Sequence, residues 1–325
     1  MRRRLDADMV RRGLAPSLSA ATLLIAEARV LVSGTVADKP TRMVDAGEPV
    51  VVSGPPPRFV GRGGEKLAGA LNGFGLDPTG LRVLDAGAST GGFTDCLLQH
   101  GALSVTALDV GHGQLHERLR ADQRVEVVER TNLRHVDPDA REPYGAVVSD
   151  LSFISLRTVM GILVRSTAEG GWLVLLVKPQ FEAARQEVSR GRGVIIDPVV
   201  WRRAISDVVG AAHDAGASTM GLMVSPLHGA DGNTEFLLHL RRDVPAAQGV
   251  HPADDGDRVA GLDEAGGGFQ RAQSGDAPVI EEMIGSALRV ACERAGIAGD
   301  TLSDDARPDV AASAQQPTST QEHPT

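Results

Sequence analysis

The sequence predicts an α/β protein in which a mostly parallel, doubly wound sheet follows a small α+β unit. Three observations carry this. From Leu81 onwards extended runs alternate with helical ones, the pattern of successive strand–helix–strand units. The first of those strands runs into a glycine-rich turn, Gly87-Ala88-Ser89-Thr90-Gly91-Gly92, which opens a helix. The last two extended runs, Thr219 to Val224 and Glu235 to Leu240, are joined by a short Pro/Gly-rich gap, so they pair antiparallel at the sheet edge.

The elements follow in order. Residues 1–57 form the small unit: Leu5, Met9, Val10 and Leu14 at helical spacing, an Ala/Leu-rich helix over Ser19 to Ala28, then two extended runs, Arg29 to Val32 and Pro49 to Val52, around a turn-rich stretch. Pro55-Pro56-Pro57 stiffens the chain, and Gly61, Gly63 and Gly64 loosen it, so residues 58–64 read as a connector. Residues 65–244 hold the sheet. Its strands are Leu81 to Leu84, Ser104 to Val110, Val125 to Glu129, Gly145 to Ser149 and Trp172 to Val177, with helices near Phe93 to His100 and Trp201 to Ala215. Residues 245–325 are rich in Asp, Gly, Ala, Gln and Ser and read as an acidic, mostly disordered tail. Within it Pro278 to Ala295 has apolar residues near helical spacing, the pattern of a short solvated helix.

Composition narrows the function classes. Two cysteines, Cys96 and Cys292, make neither a disulfide framework nor a zinc site, which fits a reducing cytoplasm. Met1-Arg2-Arg3-Arg4 leads into Leu5-Asp6-Ala7-Asp8, where a secretory signal would place its apolar core. The longest apolar run, Trp172 to Val177, is far short of the roughly 20 residues a membrane helix needs. The net charge of −9 sits entirely from Arg242 onwards, in 15 acidic and 6 basic residues. Residues 1–66 carry 11 basic and 7 acidic residues, a locally basic module suited to RNA.

The strongest local motif is Val83-Leu84-Asp85-Ala86-Gly87-Ala88-Ser89-Thr90-Gly91-Gly92-Phe93. Glycines there let a ligand approach the backbone. The Gly-x-x-x-Gly-Gly spacing departs from the dinucleotide fingerprint, and no Gly-Lys-Ser/Thr marks a nucleotide phosphate site. Asp109, 24 residues after Asp85, stands where a ribose-binding carboxylate belongs, and Asn132 follows the third strand, facing an adenine or closing a turn. Two later strands end in Ser149-Asp150-Leu151-Ser152-Phe153-Ile154 and Val177-Lys178-Pro179-Gln180-Phe181-Glu182, at the sheet edge where open α/β folds bind ligands.

These motifs, with Arg2-Arg3-Arg4-Leu5-Asp6, Arg62-Gly63-Gly64-Glu65-Lys66-Leu67 and Gly232-Asn233-Thr234-Glu235-Phe236, resemble in identity and order the TlyA-type rRNA methyltransferases, themselves similar to the FtsJ/RrmJ ribose methyltransferases. The resemblance spans roughly residues 1–241. It implies a Rossmann-like methyltransferase with a mostly parallel seven-stranded sheet, S-adenosylmethionine as cofactor, and ribosomal RNA or ribosomal subunits as partner, the 2′-hydroxyl of a ribose (a cytidine) being the acceptor. It also implies a Lys-Asp-Lys-Glu tetrad at Lys66, Asp150, Lys178 and Glu235. A ribose hydroxyl is a weak nucleophile, so the natural base is a lysine held neutral by burial and a neighbouring cation. Lys178 would be that base, Lys66 the cation, and Asp150 and Glu235 the groups that position them. In-line methyl transfer depends on alignment and requires no metal. Phe153, beside Asp150, could stack on a base turned out of its helix or equally be a core phenylalanine.

The front unit resembles the small RNA-binding fold of a ribosomal small-subunit protein, with Arg2, Arg4 and Arg62 as RNA contacts. The chain departs from the family at Leu18, where an arginine is usual, and at Glu65, where an apolar residue is usual. Two other readings follow from the resemblance: a non-catalytic ribosome-assembly factor, which the filled tetrad disfavours, and the pore former implied by the haemolysin label that family members carry, which the absence of a long apolar run disfavours.

Overall fold

The computed structural model describes residues 2–15, 17–26, 28–54, 57–244 and 277–297. Pro55 and Pro56 of the expected connector, and 245–276 and 298–325 of the expected tail, lie outside the described residues.

The front unit is built from β1 (Arg3–Arg4), α1 (Leu5–Arg11), α2 (Leu18–Ala26), β2 (Val30–Val32), β3 (Thr35–Val36), β4 (Met43–Val44) and β5 (Val50–Val52). β1 pairs with β4, and β2 lies between β3 and β5, all antiparallel. Ser33 and Gly34, both at positive φ, make the two-residue turn of the β2–β3 hairpin, whose backbone twist suits the flanking strands. Leu5, Met9, Ile25, Val30 and Val44 close a small core of their own.

α3 (Gly63–Phe74) opens the second unit and ends on Gly75 in the left-handed conformation that closes many helices. After it come β6 (Arg82–Ala86), α4 (Gly92–Gln99), β7 (Ser104–Leu108), α5 (Glu117–Arg120), β8 (Val125–Val128), a 3-10 turn at Leu133–His135, β9 (Tyr144–Ser149), α6 (Leu156–Ser166), β10 (Thr167–Val177), α7 (Pro179–Glu182), α8 (Arg185–Arg190), α9 (Pro198–Asp214), β11 (Ala217–Val224), β12 (Phe236–Arg242) and α10 (Ala277–Ala295). The seven strands lie in the order β11-β12-β10-β9-β6-β7-β8. β12 runs antiparallel to both neighbours and the other pairings are parallel, so the expected mostly parallel sheet with an antiparallel edge is what forms. The order in which strands are added reverses between the parallel neighbours β6 and β9, and the crevice above that point is where such sheets hold ligands. α3 and α4 cover one face through Leu67, Leu71, Phe93 and Leu97; α6 and α9 cover the other through Met160, Leu163, Trp201 and Ile205.

Two expectations are corrected. The connector glycines do not loosen the chain: α3 already begins at Gly63, Phe59 is buried, and the Val60 amide donates to Asp95 Oδ2 at 2.8 Å. A Cβ on Gly92 would stand 2.9 Å from the Gly64 amide nitrogen, so glycine here permits two backbones to touch. The expected solvated helix is α10, and it is packed: Ile284, Ala287, Leu288, Ala291 and Cys292 are buried in the core face shared with α9 and β11. Arg294 at its far end donates to the Ser225 carbonyl, 3.0 Å away.

Candidate functional site

β6 ends at Ala86, and Gly87 turns the chain at φ 95° directly under the loop that follows β9; a Cβ there would lie 2.7 Å from the Asp150 carbonyl oxygen. Only glycine allows both the conformation and the approach. The Gly87 amide donates to the Leu108 carbonyl at 2.8 Å, tying the turn to the end of β7. Beside it, both Asp109 carboxylate oxygens are engaged: Oδ2 accepts from the Ser89 amide at 2.8 Å and Oδ1 from the Gly111 amide at 2.7 Å.

Gly87, Asp109 and Asn132 line a cavity of about 250 Å³ whose apolar walls are Leu108, Val110, Leu133, Leu151 and Ile154. Asn132 also closes a turn, its side-chain oxygen accepting from the Arg134 amide at 3.0 Å. The glycine stretch divides. Gly87 faces this cavity, whereas Thr90 faces a second one of about 320 Å³, shared with Gly61, Arg62 and His116 and reaching Ser17 and Ala20 of the front unit. Gly91 packs on Leu115 and Leu119, and Ala88 and Phe93 are buried in the α3–α4 core. Asp85 lies beneath the turn, fully buried, and its carboxylate accepts from Thr94 Oγ1 at 2.6 Å. Burial, with smaller repulsion from Asp150 and Asp109, pushes the Asp85 carboxyl up to about 7.

The four tetrad positions come together as two ion pairs. Lys178, the last residue before α7, places Nζ 2.6 Å from Asp150 Oδ1 and donates to Ser152 Oγ at 3.2 Å, with the Phe181 ring centroid 5.8 Å away. Lys66, on the first turns of α3, is buried against Glu235, the residue before β12. The start of α3 joins the pairs: a Cβ on Gly63 would stand 3.7 Å from Asp150 Oδ2, one helical turn before Lys66. The Glu235 turn is held by Asn233, whose Oδ1 accepts from the Ile195 amide and whose Nδ2 donates to the Gly193 carbonyl, both at 2.9 Å.

Phe153 projects beside this group, 91 % exposed and at φ 65°, with its ring centroid 5.4 Å from that of Phe181. A phenylalanine in the left-handed region is strained, and such strain gathers at functional positions. The front arginines are engaged: Arg2 with Asp45 at 3.1 Å and Arg4 with Asp6 at 2.6 Å, each still more than half exposed. Arg62 donates to the His228 carbonyl at 3.1 Å and also lines the cavity that reaches the front unit. Leu18 is 56 % exposed.

Sequence reasoning passed over Ser152, Asn233 and Glu182. The Glu182 carboxylate accepts from the Leu156 amide at 2.7 Å and from the Ser155 hydroxyl, so it joins the loop after β10 to the loop after β9. Its position in the Lys178–Glu182 motif was the available signal.

The profile of the FtsJ-like methyltransferase family matches residues 59–242, and that of the S4 domain matches residues 3–50. The 16S/23S rRNA (cytidine-2′-O)-methyltransferase TlyA of Mycobacterium tuberculosis is 44 % identical over 256 residues, covering 78 % of this chain and 95 % of that one. Hemolysin A of Brachyspira hyodysenteriae is 39 % identical, covering 73 % of this chain and 98 % of its own. A solved structure from Streptococcus thermophilus, also described as a hemolysin, superposes with a TM-score of 0.65 at 32 % identity and covers 91 % of this chain and 98 % of that one.

Proposed function

Because the chain belongs to the FtsJ-like methyltransferase family and carries an S4 domain ahead of its catalytic unit, we infer that it transfers a methyl group from S-adenosylmethionine to the 2′-hydroxyl of a cytidine in ribosomal RNA. The observation that carries this reading is the pair of Lys–carboxylate contacts, of which Lys178–Asp150 adjoins the 250 Å³ cavity: Lys178 donates to Ser152, which lines it, and the Asp150 backbone meets Gly87. The residues present suit the cofactor: glycine where a Cβ would obstruct, a carboxylate at Asp109 for a ribose diol, and apolar walls for adenine. When bound, S-adenosylmethionine supplies an electrophilic methyl group.

The chain's own residues then do three things. Gly87 to Ser89, Asp109 and Asn132 hold the nucleoside, while Thr90 to Phe93 set the turn against α3. Lys178, entering the reaction as the free amine, accepts the proton of the ribose hydroxyl at Nζ, and Asp150 and Ser152 fix the direction in which that nitrogen faces. Lys66, neutralised by Glu235, adds a fixed cationic group behind them. Phe153 offers a face to an unstacked base, and Arg2, Arg4 and Arg62 meet phosphates, which compete with Asp45 and Asp6 for the first two.

The test is transfer of labelled methyl from S-adenosylmethionine to purified 30S and 50S subunits, followed by mapping of ribose methylation. Incorporation at a cytidine 2′-oxygen supports the reading; label on a base, or none on either subunit, refutes it. The hemolysin descriptions belong to the relatives that carry them; among the described residues no helix is long and apolar enough to cross a membrane.

A further inference from the structure

We infer that Glu182 is a positioning residue for the reaction, clasping together the two loops that carry Asp150 and Lys178 and thereby setting how those side chains meet. The inference rests on the roles of Asp150 and Lys178 proposed above. β9 and β10 are parallel neighbours, and each ends in a loop that leaves the sheet independently. The loop after β9 contains the strained Phe153 and runs into α6 at Ser155, which makes no side-chain cap of its own helix. The capping comes from across the gap. Glu182, four residues after Lys178, takes the Leu156 amide at 2.7 Å on Oε1 and the Ser155 hydroxyl on Oε2, with Arg157 Nε 3.5 Å from Oε2.

An anion at a helix N-terminus is favourable. Its setting here is not: the Glu182 side chain is 1 % exposed, and burial holds its carboxyl above the usual range against the lowering effect of Ser155, the Leu156 amide and Arg157. Burial opposes its charged form and so offsets part of what this cap contributes to the fold. The geometry assigns it the loops: its two oxygens reach residues five and six positions after Asp150, and its own backbone continues from Lys178 through the single turn of α7.

The full chain carrying Glu182→Gln, and separately Ser155→Ala, tests this. Single-turnover methyl transfer to ribosomal subunits is measured beside S-adenosylmethionine affinity and melting temperature. The expected result for Glu182→Gln is a fall in kcat of about tenfold or more, since a displacement of the order of 1 Å at reacting groups is enough for that. Donor affinity stays within about twofold and the melting temperature stays within about 2 °C of wild type or rises. Ser155→Ala, which removes one tie and leaves the carboxylate, falls less, by about threefold. Full kcat in Glu182→Gln, or loss of kcat in step with loss of melting temperature, overturns the inference while active wild type leaves the proposed function standing. Wild-type protein that transfers no methyl overturns both.

Discussion

The two ion pairs of the tetrad differ in what surrounds them. Lys66 and Glu235 are sealed, with side chains 9 % and 3 % exposed, and each is the other's main polar partner. Lys178 is almost as covered at 11 %, but its carboxylate Asp150 is 23 % exposed and its nitrogen is shared with Ser152. The inner pair thus behaves as part of the interior, where removal of one partner strands a charge. The outer pair is the one a substrate hydroxyl can reach, and its lysine can exchange one oxygen contact for another. On the proposed reading a lysine–carboxylate pair serves as framework in one place and as chemistry in the other, and the difference lies in the carboxylate's exposure.

That contrast breaks first at Lys178. Lys178→Ala is expected to lower methyl transfer by about 10²–10⁴-fold while S-adenosylmethionine binding, followed by calorimetry, changes little; full activity in this variant would make the outer pair another piece of framework. Glu235→Gln probes the inner pair and should act on the fold, costing about 3–5 kcal/mol in urea unfolding through the stranded Lys66 ammonium. A variant that loses activity with unchanged stability would place the inner pair among the reacting groups.

Asp85 sharpens the comparison as a carboxylate without a cation, held only by Thr94. Its folded value of about 7 lies above the unfolded one near 4, so wild-type stability falls as pH rises through that window and levels off above it. The stability of Asp85→Asn relative to wild type should accordingly climb between pH 4 and 7, by a few kcal/mol in total; a difference independent of pH across melts from pH 5 to 8 would contradict the assignment. The smallest effect on the fold is expected at Phe153. Phe153→Ala leaves unfolding within about 0.5 kcal/mol and weakens subunit binding or turnover by about 1–3 kcal/mol in stacking, read from the salt-matched KM for subunits.

The parallel strands, the glycine turn and the antiparallel edge were legible because each imposes a local pattern: continuous apolar runs, glycine at a positive φ, and a gap too short for a crossover. Resemblance supplied the tetrad, since Lys66 and Glu235 are 169 residues apart and no spacing rule relates a helix start to a turn before an antiparallel strand. Gly61 to Gly64 misled because glycine serves flexibility and close approach alike, and only the partner, Gly92, tells which. α10 misled for a different reason. Its buried side is largely small, with Ala287, Ala291 and Cys292 beside Ile284 and Leu288, and the surface that accepts it is formed by α9 and β11, more than 50 residues earlier. Glu182 was hidden by the same non-locality, its partners lying 26 and 27 residues upstream.

Synthesis order gives the insertion of β12 between β10 and β11 a temporal meaning. A chain growing from its first residue completes β6, β9, β10 and β11 before Glu235 and β12 exist, so the edge strand β11 has no neighbour to join and the ammonium of Lys66 has no counter-charge until the final strand slides between the others. On the proposed roles the site stays incomplete until that strand arrives, and α10 is left to pack after it.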